Sequence, residues 1–308
     1  MSFAYDYELG SRQPIAAHSV AEKSQRSDEI SDVPHRPSEA RSGSPGSESK
    51  IIVFMHVSGG AGATTLAVNL GCALSQSDPD HETCLLDLDL QFGTSANFLD
   101  LLRISPLAEF VEEPARLDRA MLDDMLTRHT CGLKVLTSPS PPLPLEALSP
   151  GDVSNLLRIA KSRYRNVIVD MPVALTSWTD TVLKAANVIY LVTPMMIPAA
   201  HRIGKLLDLL RKEKLDQLAI KLVINRYDLM ANRSAGLRPA EFAKATRLAL
   251  CHLIPDDYAL VSLAEDQGTP ALKLRPKSGF SLAIQKMADD LKESAGTQRG
   301  RKFGLFGF

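Results

Sequence analysis

Val57-Ser58-Gly59-Gly60-Ala61-Gly62-Ala63-Thr64-Thr65 is the stretch on which the fold turns. Apolar Ile51-Ile52-Val53-Phe54-Met55 comes before it, and helix-forming Leu66-Ala67-Val68-Asn69-Leu70-Gly71-Cys72-Ala73-Leu74 comes after. Strand, glycine turn and helix in that order make a cradle for phosphate. Glycines let backbone N–H groups approach anionic oxygens, and the helix N-terminus adds partial positive charge. The Thr64 hydroxyl stands where such loops ligate Mg²⁺. The residue before it, where a phosphate-reaching lysine belongs, is Ala63. The loop keeps its shape without its charge.

Outward from this loop, apolar runs alternate with helix-like stretches. Residues 51–57, 83–88, 133–137, 166–171, 188–193 and 221–225 read as strands, with 251–254 as a seventh. Helical patterns fall at 65–76, 150–163, 179–186, 199–214, 239–248 and 278–294. The alternation predicts an α/β fold, a doubly wound and mostly parallel sheet with helices on both faces. Ligands in such folds sit at the C-terminal ends of strands. The run Ser138-Pro-Ser-Pro-Pro-Leu-Pro144 reads as a loop within one domain.

The notable carboxylates fall at those strand ends. Leu85-Leu86-Asp87-Leu88-Asp89-Leu90-Gln91-Phe92-Gly93 places Asp87 and Asp89 on the same side of an extended chain. At the mouth of a nucleotide site they would hold Mg²⁺ through water or orient an attacking water. Asn166-Val-Ile-Val-Asp170-Met-Pro172 ends another strand in a single carboxylate. Each alone is also what a strand-end turn or helix cap would use. The glycine loop in the expected order gives them a shared purpose.

With these motifs together, the chain resembles the deviant P-loop ATPases of the MinD/ParA superfamily. Within it, the chain is similar to the CpaE/TadZ pilus-assembly group. The resemblance covers nearly all of residues 51–294. It is most specific in 59–65, in Leu86-Asp-Leu-Asp-Leu-Gln-Phe-Gly93, and in Ile254-Pro-Asp-Asp257 followed by Asp266-Gln-Gly-Thr-Pro270. Ala63 before the threonine pair and the Asp-Leu-Gln-Phe-Gly run are similar to the pilus group rather than to the chromosome- or septum-positioning branches. The resemblance implies ATP and Mg²⁺ as cofactors, cradled by Gly59, Gly60, Ala61, Gly62, Ala63, Thr64 and Thr65. It implies Mg²⁺ supported by Thr64, Asp170 and Asp87, and catalytic roles for Asp87 and Asp89, with Asp89 nearest the hydrolytic water. Asn225, followed by Arg226, matches the residue that hydrogen-bonds the adenine edge, and a side-chain amide suits that pairing. The backbone near Pro255 would close the base pocket. Asn225 could equally serve as a strand-end turn residue.

Two departures from the family pattern shape the function expected. Family ATPases carry one lysine before the double glycine and another before the threonine; here Ser58 and Ala63 stand there. The first of these lysines reaches the partner subunit's phosphates in an ATP-sandwiched dimer. A lysine–phosphate contact is worth about 4 kcal/mol at short range and an effective dielectric near 20, before desolvation. About 1.36 kcal/mol is tenfold in rate, so hydrolysis is expected to be weak or absent. The second departure is the N-terminus. Pilus relatives commonly carry a receiver-like domain there, and 50 polar residues are too few for one.

Three functions remain open on the sequence. The first is a nucleotide-binding scaffold that localises pilus (type IV/Flp, tight-adherence) assembly. It would form a homodimer and dock the pilus secretion ATPase or other secretion-machinery components. The second is an active ParA/MinD-type positioning ATPase acting on DNA or membrane. The third, a small-molecule phosphotransferase, lacks a substrate motif.

Composition bounds the partners. The formal net charge of −1 argues against a chain-wide grip on nucleic acid. Between residues 200 and 250 there are eleven Lys/Arg against five Asp/Glu, a pattern that ordinary solvated helices also show. Residues 1–50, with eleven serines, read as a disordered tail, with Phe3-Ala-Tyr-Asp-Tyr7 as a minor docking motif. Residues 295–308 read as a basic-aromatic tail whose Phe303, Phe306 and Phe308 suit weak membrane contact or partner docking. No apolar run is long enough to span a bilayer, which with the absence of a secretory leader points to the cytoplasm; the resemblance implies a place at the inner face of the membrane or the cell pole. Cys72, Cys84, Cys131 and Cys251 are widely spaced and read as buried, reduced thiols without a zinc or iron–sulfur site. His56 reads as a core or rim residue, His201 has no partner in sequence, and Trp178 reads as an anchor for the helix after Asp170.

Overall fold

The computed structural model describes residues 49–79, 82–101 and 107–301. The expectations for residues 1–48 and for Phe303, Phe306 and Phe308 lie outside the described residues. The strands are β1 (Lys50–His56), β2 (Thr83–Asp87), β3 (Thr127–Arg128), β4 (Lys134–Leu136), β5 (Asn166–Asp170), β6 (Val188–Pro194), β7 (Ile220–Tyr227) and β8 (Leu250–Pro255). They form a sheet ordered β3-β4-β2-β5-β1-β6-β7-β8, parallel throughout except for the β3–β4 edge hairpin. The order reverses direction around β1, so the glycine loop leaves the sheet at a topological switch point, where open α/β sheets bind ligands.

The helices are α1 (Ala63–Ser77), α2 (Leu107–Glu112), α3 (Arg119–Met125), α4 (Pro150–Arg163), α5 (Thr179–Ala185), α6 (Ile197–Lys212), α7 (Leu229–Ser234), α8 (Pro239–Thr246), α9 (Tyr258–Asp266), α10 (Ala271–Leu274) and α11 (Gly279–Arg301). β1 shows why the sheet needs two helical layers. Ile51, Val53 and Met55 join a core with Leu157 of α4, Val182 of α5 and Ile203 of α6. Ile52 and Phe54 point the other way, into a core with Leu66 and Leu70 of α1 and Ile284 and Met287 of α11. Each of these side chains is buried, contributing roughly 2 kcal/mol by removal from water.

The expected strands and long helices are present. Helices α2, α3, α7, α9 and α10 and the two-residue β3 are additions that the sequence reading does not contain. These helices are too short for a sustained apolar period, and three of them are set by single aspartate caps. Asp118 accepts from Met121 N, Asp228 from Met230 N and Ala231 N, and Asp257 from Leu260 N. Trp178 is fully buried at the start of α5, and its Nε1 donates to the Leu145 carbonyl at 3.1 Å, so it does anchor that helix. The basic residues Arg202, Lys205, Arg211, Lys212, Lys214, Arg233, Arg238 and Arg247 are exposed, with Arg211 paired to Asp208 and Arg238 to Glu241. Among the described residues no helix is long and apolar enough to cross a membrane.

Candidate functional site

A cavity of about 690 Å³ opens at the C-terminal ends of β1, β5, β7 and β8. Gly59 to Thr65 form its floor, and Asp89, Asp170, Asn225, Arg226 and Pro255 stand in its walls. Every candidate site residue except Asp87 therefore lines one space.

The loop holds its shape through left-handed glycines. Gly60 has φ +71° and Gly62 has φ +86°, the latter in the N-cap position of α1. A Cβ at Gly62 would lie 2.3 Å from Asn225 Nδ2. That amide is buried and donates to the Ala61 carbonyl at 2.8 Å. Asn225 thus braces the loop from below, whereas the resemblance assigns it to the adenine edge. At least one of its N–H groups is committed to the backbone. A shift in register between Ile224 and Tyr227 bulges β7 at this point, with Arg226 at φ +55°. Bulges of this kind re-aim side chains, and a left-handed arginine holds strain of roughly 1–3 kcal/mol.

Thr64 Oγ1 donates to Asp170 Oδ2 at 2.6 Å. The other oxygen of Asp170, Oδ1, is buried and has no hydrogen-bond partner among the described residues. Burial, with the nearby Asp87 carboxyl second, pushes the Asp170 carboxyl well above the usual carboxylate range, and the Thr64 hydrogen bond opposes it. A buried carboxylate oxygen left idle is costly. A hard divalent cation with oxygen ligands removes that cost, so Mg²⁺ fits here, held by Asp170 and the Thr64 hydroxyl.

Asp87 has a different place from the one expected of it. Its Oδ1 accepts from Asp89 N at 3.2 Å, and its Oδ2 accepts from Ser95 N at 3.2 Å and Ser95 Oγ at 2.6 Å. It is fully buried behind the 88–95 loop, outside the cavity wall, with burial pushing its carboxyl up to about 6. A Cβ at Gly93 would stand 2.5 Å from Asp87 Oδ1, so glycine there lets the loop close over the carboxylate. Asp87 staples the loop rather than offering an oxygen to metal or water. Asp89 remains at the cavity, its Oδ1 accepting from Gln91 N at 3.2 Å and Phe92 N at 3.0 Å.

The two positions without lysine are equally definite. Ala63 is buried as the first residue of α1, and the Ser58 carbonyl accepts from His56 Nδ1 at 2.9 Å, which makes His56 a rim residue. Among the described lining residues Arg226 is the only lysine or arginine, against the carboxylates of Asp89, Asp170, Asp256, Asp257 and Glu265. Tyr258, Glu265 and Phe280 also line the cavity; they come from α9 and α11, and nothing in their local spacing announces it. Away from the cavity, the fold corrects the reading of four widely spaced, buried cysteines: Cys131 and Cys251 are only partly buried, and Cys131 meets Cys72, with His129 beside them.

Comparison with known proteins agrees with this geometry. Residues 52–270 match the model of the CobQ/CobB/MinD/ParA nucleotide binding domain. The septum site-determining protein MinD of Bacillus subtilis is 25% identical over 241 residues, covering 77% of this chain and 87% of that protein. MinD of Thermotoga maritima is 22% identical over 241 residues, covering 77% and 86%. Among solved structures, a ParA family ATPase from Chlorobium tepidum superposes with a TM-score of 0.70 at 27% identity, over 78% of this chain and 98% of that one. MinD of Pyrococcus horikoshii complexed with Mg-ADP superposes with a TM-score of 0.67 at 22% identity, over 81% and 98%. By sequence match, sheet topology and loop, the chain belongs to the CobQ/CobB/MinD/ParA nucleotide-binding domain family.

Proposed function

We propose that the chain is a CpaE/TadZ-like scaffold that binds Mg²⁺-ATP, dimerises around it and hydrolyses it slowly or not at all. One observation carries the reading. The cavity has the Thr64–Asp170 pair suited to Mg²⁺, yet Ser58 and Ala63 stand where lysines belong and, among the described lining residues, Arg226 is the one lysine or arginine against five carboxylates. With so little cationic charge, nucleotide binding depends on the metal and the loop's N–H groups. Little is left to stabilise charge developing at a transferred phosphoryl group. The Mg-ADP complex of the Pyrococcus horikoshii MinD supports the choice of cofactors.

The homodimer draws support from the cavity rim. Phe92 and Tyr258 line the cavity and are exposed, Phe92 by 78%, and Met196, Ile197 and Met230, the last exposed by 74%, follow the C-terminal ends of β6 and β7. Large apolar side chains gathered at one edge of a sheet mark a surface that another protein covers. A second copy presenting the same rim is its occupant. The pilus role, with the secretion ATPase or other secretion components as partners at the cytoplasmic face of the membrane or the pole, rests on Ala63 and the Asp-Leu-Gln-Phe-Gly motif.

A second reading, an active MinD-type positioning ATPase, is favoured by the MinD relatives and by Asp89 standing in the cavity wall. Phosphate release by the wild type and by Ser58→Lys and Ala63→Lys separates the two. The scaffold reading expects negligible turnover in the wild type. Turnover equal to that of lysine-bearing relatives would give the second reading its place.

A further inference from the structure

Cys72 lies on α1, on the half remote from the nucleotide loop. Cys131 and His129 lie in the turn between β3 and β4. That turn is fixed by His129 N donating to the Leu133 carbonyl at 2.8 Å and Gly132 N to the His129 carbonyl at 2.9 Å. It brings Cys131 Sγ to 2.8 Å from Cys72 Sγ, and His129 Nδ1 to 3.0 Å from Cys131 Sγ. Cys72 is fully buried, and Cys131 is partly exposed.

Two chemistries use two sulfurs and an imidazole, and the distances separate them. A tetrahedral zinc with Zn–S near 2.3 Å holds its sulfurs roughly 3.8 Å apart. A disulfide joins them at about 2.05 Å. At 2.8 Å the pair lies between these two spacings, nearer the covalent one.

We propose that Cys131 and Cys72 are a peroxide-oxidisable thiol pair, with Cys131 the attacking sulfur, Cys72 the resolving sulfur and His129 the base. The Cys131 thiol proton passes to His129 Nδ1. The thiolate attacks hydrogen peroxide, the O–O bond breaks, and the departing hydroxide takes the proton back from His129 as water. Cys131 is left as a sulfenic acid. Cys72 Sγ then attacks Cys131 Sγ, the S–O bond breaks, and hydroxide leaves with the Cys72 proton as a second water. Two thiols are oxidised to one disulfide and one peroxide is reduced to two waters. Exposure assigns the order, since peroxide reaches Cys131 while Cys72 waits beneath it. The hydrogen bond from Cys72 holds the Cys131 thiol down to about 5 against burial, with His129 helping. Burial pushes the Cys72 thiol up. The bridge would tie the helix that begins at the nucleotide loop to the edge hairpin of the sheet.

The test is to reduce the full 308-residue protein, treat it with metal chelator and then hydrogen peroxide, alkylate the remaining thiols and map peptides without reductant. The expected product is a Cys72–Cys131 crosslink reversed by dithiothreitol, with Cys84 and Cys251 alkylated. Cys72→Ala should accumulate a Cys131 sulfenic acid that dimedone captures, and Cys131→Ser should leave Cys72 unoxidised. His129→Asn should shift the pH midpoint of the Cys131 oxidation rate upward without changing the product. The wild-type map decides even where a variant fails to fold. Oxidation of Cys131 to the sulfinic acid with Cys72 still free overturns the proposal, as does a stoichiometric metal released from these cysteines by the chelator.

Discussion

At the residue scale Asp170 is the sharpest test of the proposed Mg²⁺ site, because its Oδ1 is buried without a partner among the described residues while Oδ2 is held by Thr64. Asp170→Asn keeps the shape and removes the charge a cation needs. It should weaken Mg²⁺-dependent nucleotide binding about tenfold or more, with no loss of apo melting temperature, since no buried anion has to be accommodated. Titration calorimetry with and without Mg²⁺ reads the difference. Gly62→Ala should destabilise by about 1–3 kcal/mol, because it forces a left-handed alanine and drives its Cβ against the Asn225 amide. Urea unfolding measures this loss. Much of the site was legible at this scale. Gly59 to Thr65, Asp89, Asp170, Asn225, Arg226 and Pro255 are picked out by motif and order, and the fold brings them to one cavity. The role of Asp87 was not legible. Spacing places two carboxylates on one side of a strand, but it does not show that Ser95 lies within hydrogen-bonding distance of the first. Nor does sequence show that the Asn225 amide is engaged by the loop's own carbonyl.

At the scale of elements, β5 is expected at 166–171 and found at Asn166–Asp170, and α4 is found with the bounds its pattern gives. Those elements carry their own signals: a closed apolar run for the strand, and for the helix a Ser149 capping box with proline in the first turn. Helix α9 lacks such length, and its existence depends on the Asp257 cap and on burial of Leu260 and Ala264. Strand β8 carries a tertiary consequence invisible in its sequence. His252 is buried against the Tyr190 ring, with Asp290 Oδ2 3.9 Å from its Nδ1 and no partner at Nε2 among the described residues. Burial lowers its pKa, Lys286 and Lys221 add to this, and Asp290 opposes it. The folded state therefore binds fewer protons here than the unfolded one. This group's contribution is present above the ordinary histidine range near pH 6.5 and is lost as pH falls through the lower folded pKa. Thermal unfolding of the wild type and of His252→Leu should show a steeper acid-side loss in the wild type. Parallel curves would contradict the assignment.

For the whole molecule, the switch point and the acidic cavity coincide, and exposed apolar side chains stand at the same end of the sheet. The topology sets the loop between the ends of β5 and β6, and the exposed Phe92 and Tyr258 stand at the opening on which a second copy would close. Phe92→Asp combined with Met230→Asp alters only exposed side chains and should change the stability of the fold by no more than about 1 kcal/mol in urea unfolding. The same pair should weaken Mg²⁺-ATP-dependent dimerisation at least about tenfold in sedimentation velocity, because burying two carboxylates in a symmetric contact is costly. Unchanged dimerisation would place the interface elsewhere. The most direct measurement is Mg²⁺-ATP calorimetry on the full chain with phosphate release followed in the same sample. Saturable, Mg²⁺-dependent binding with negligible release is the result expected of a nucleotide-held scaffold. Absent binding, or turnover as fast as that of relatives that keep both lysines, would contradict it.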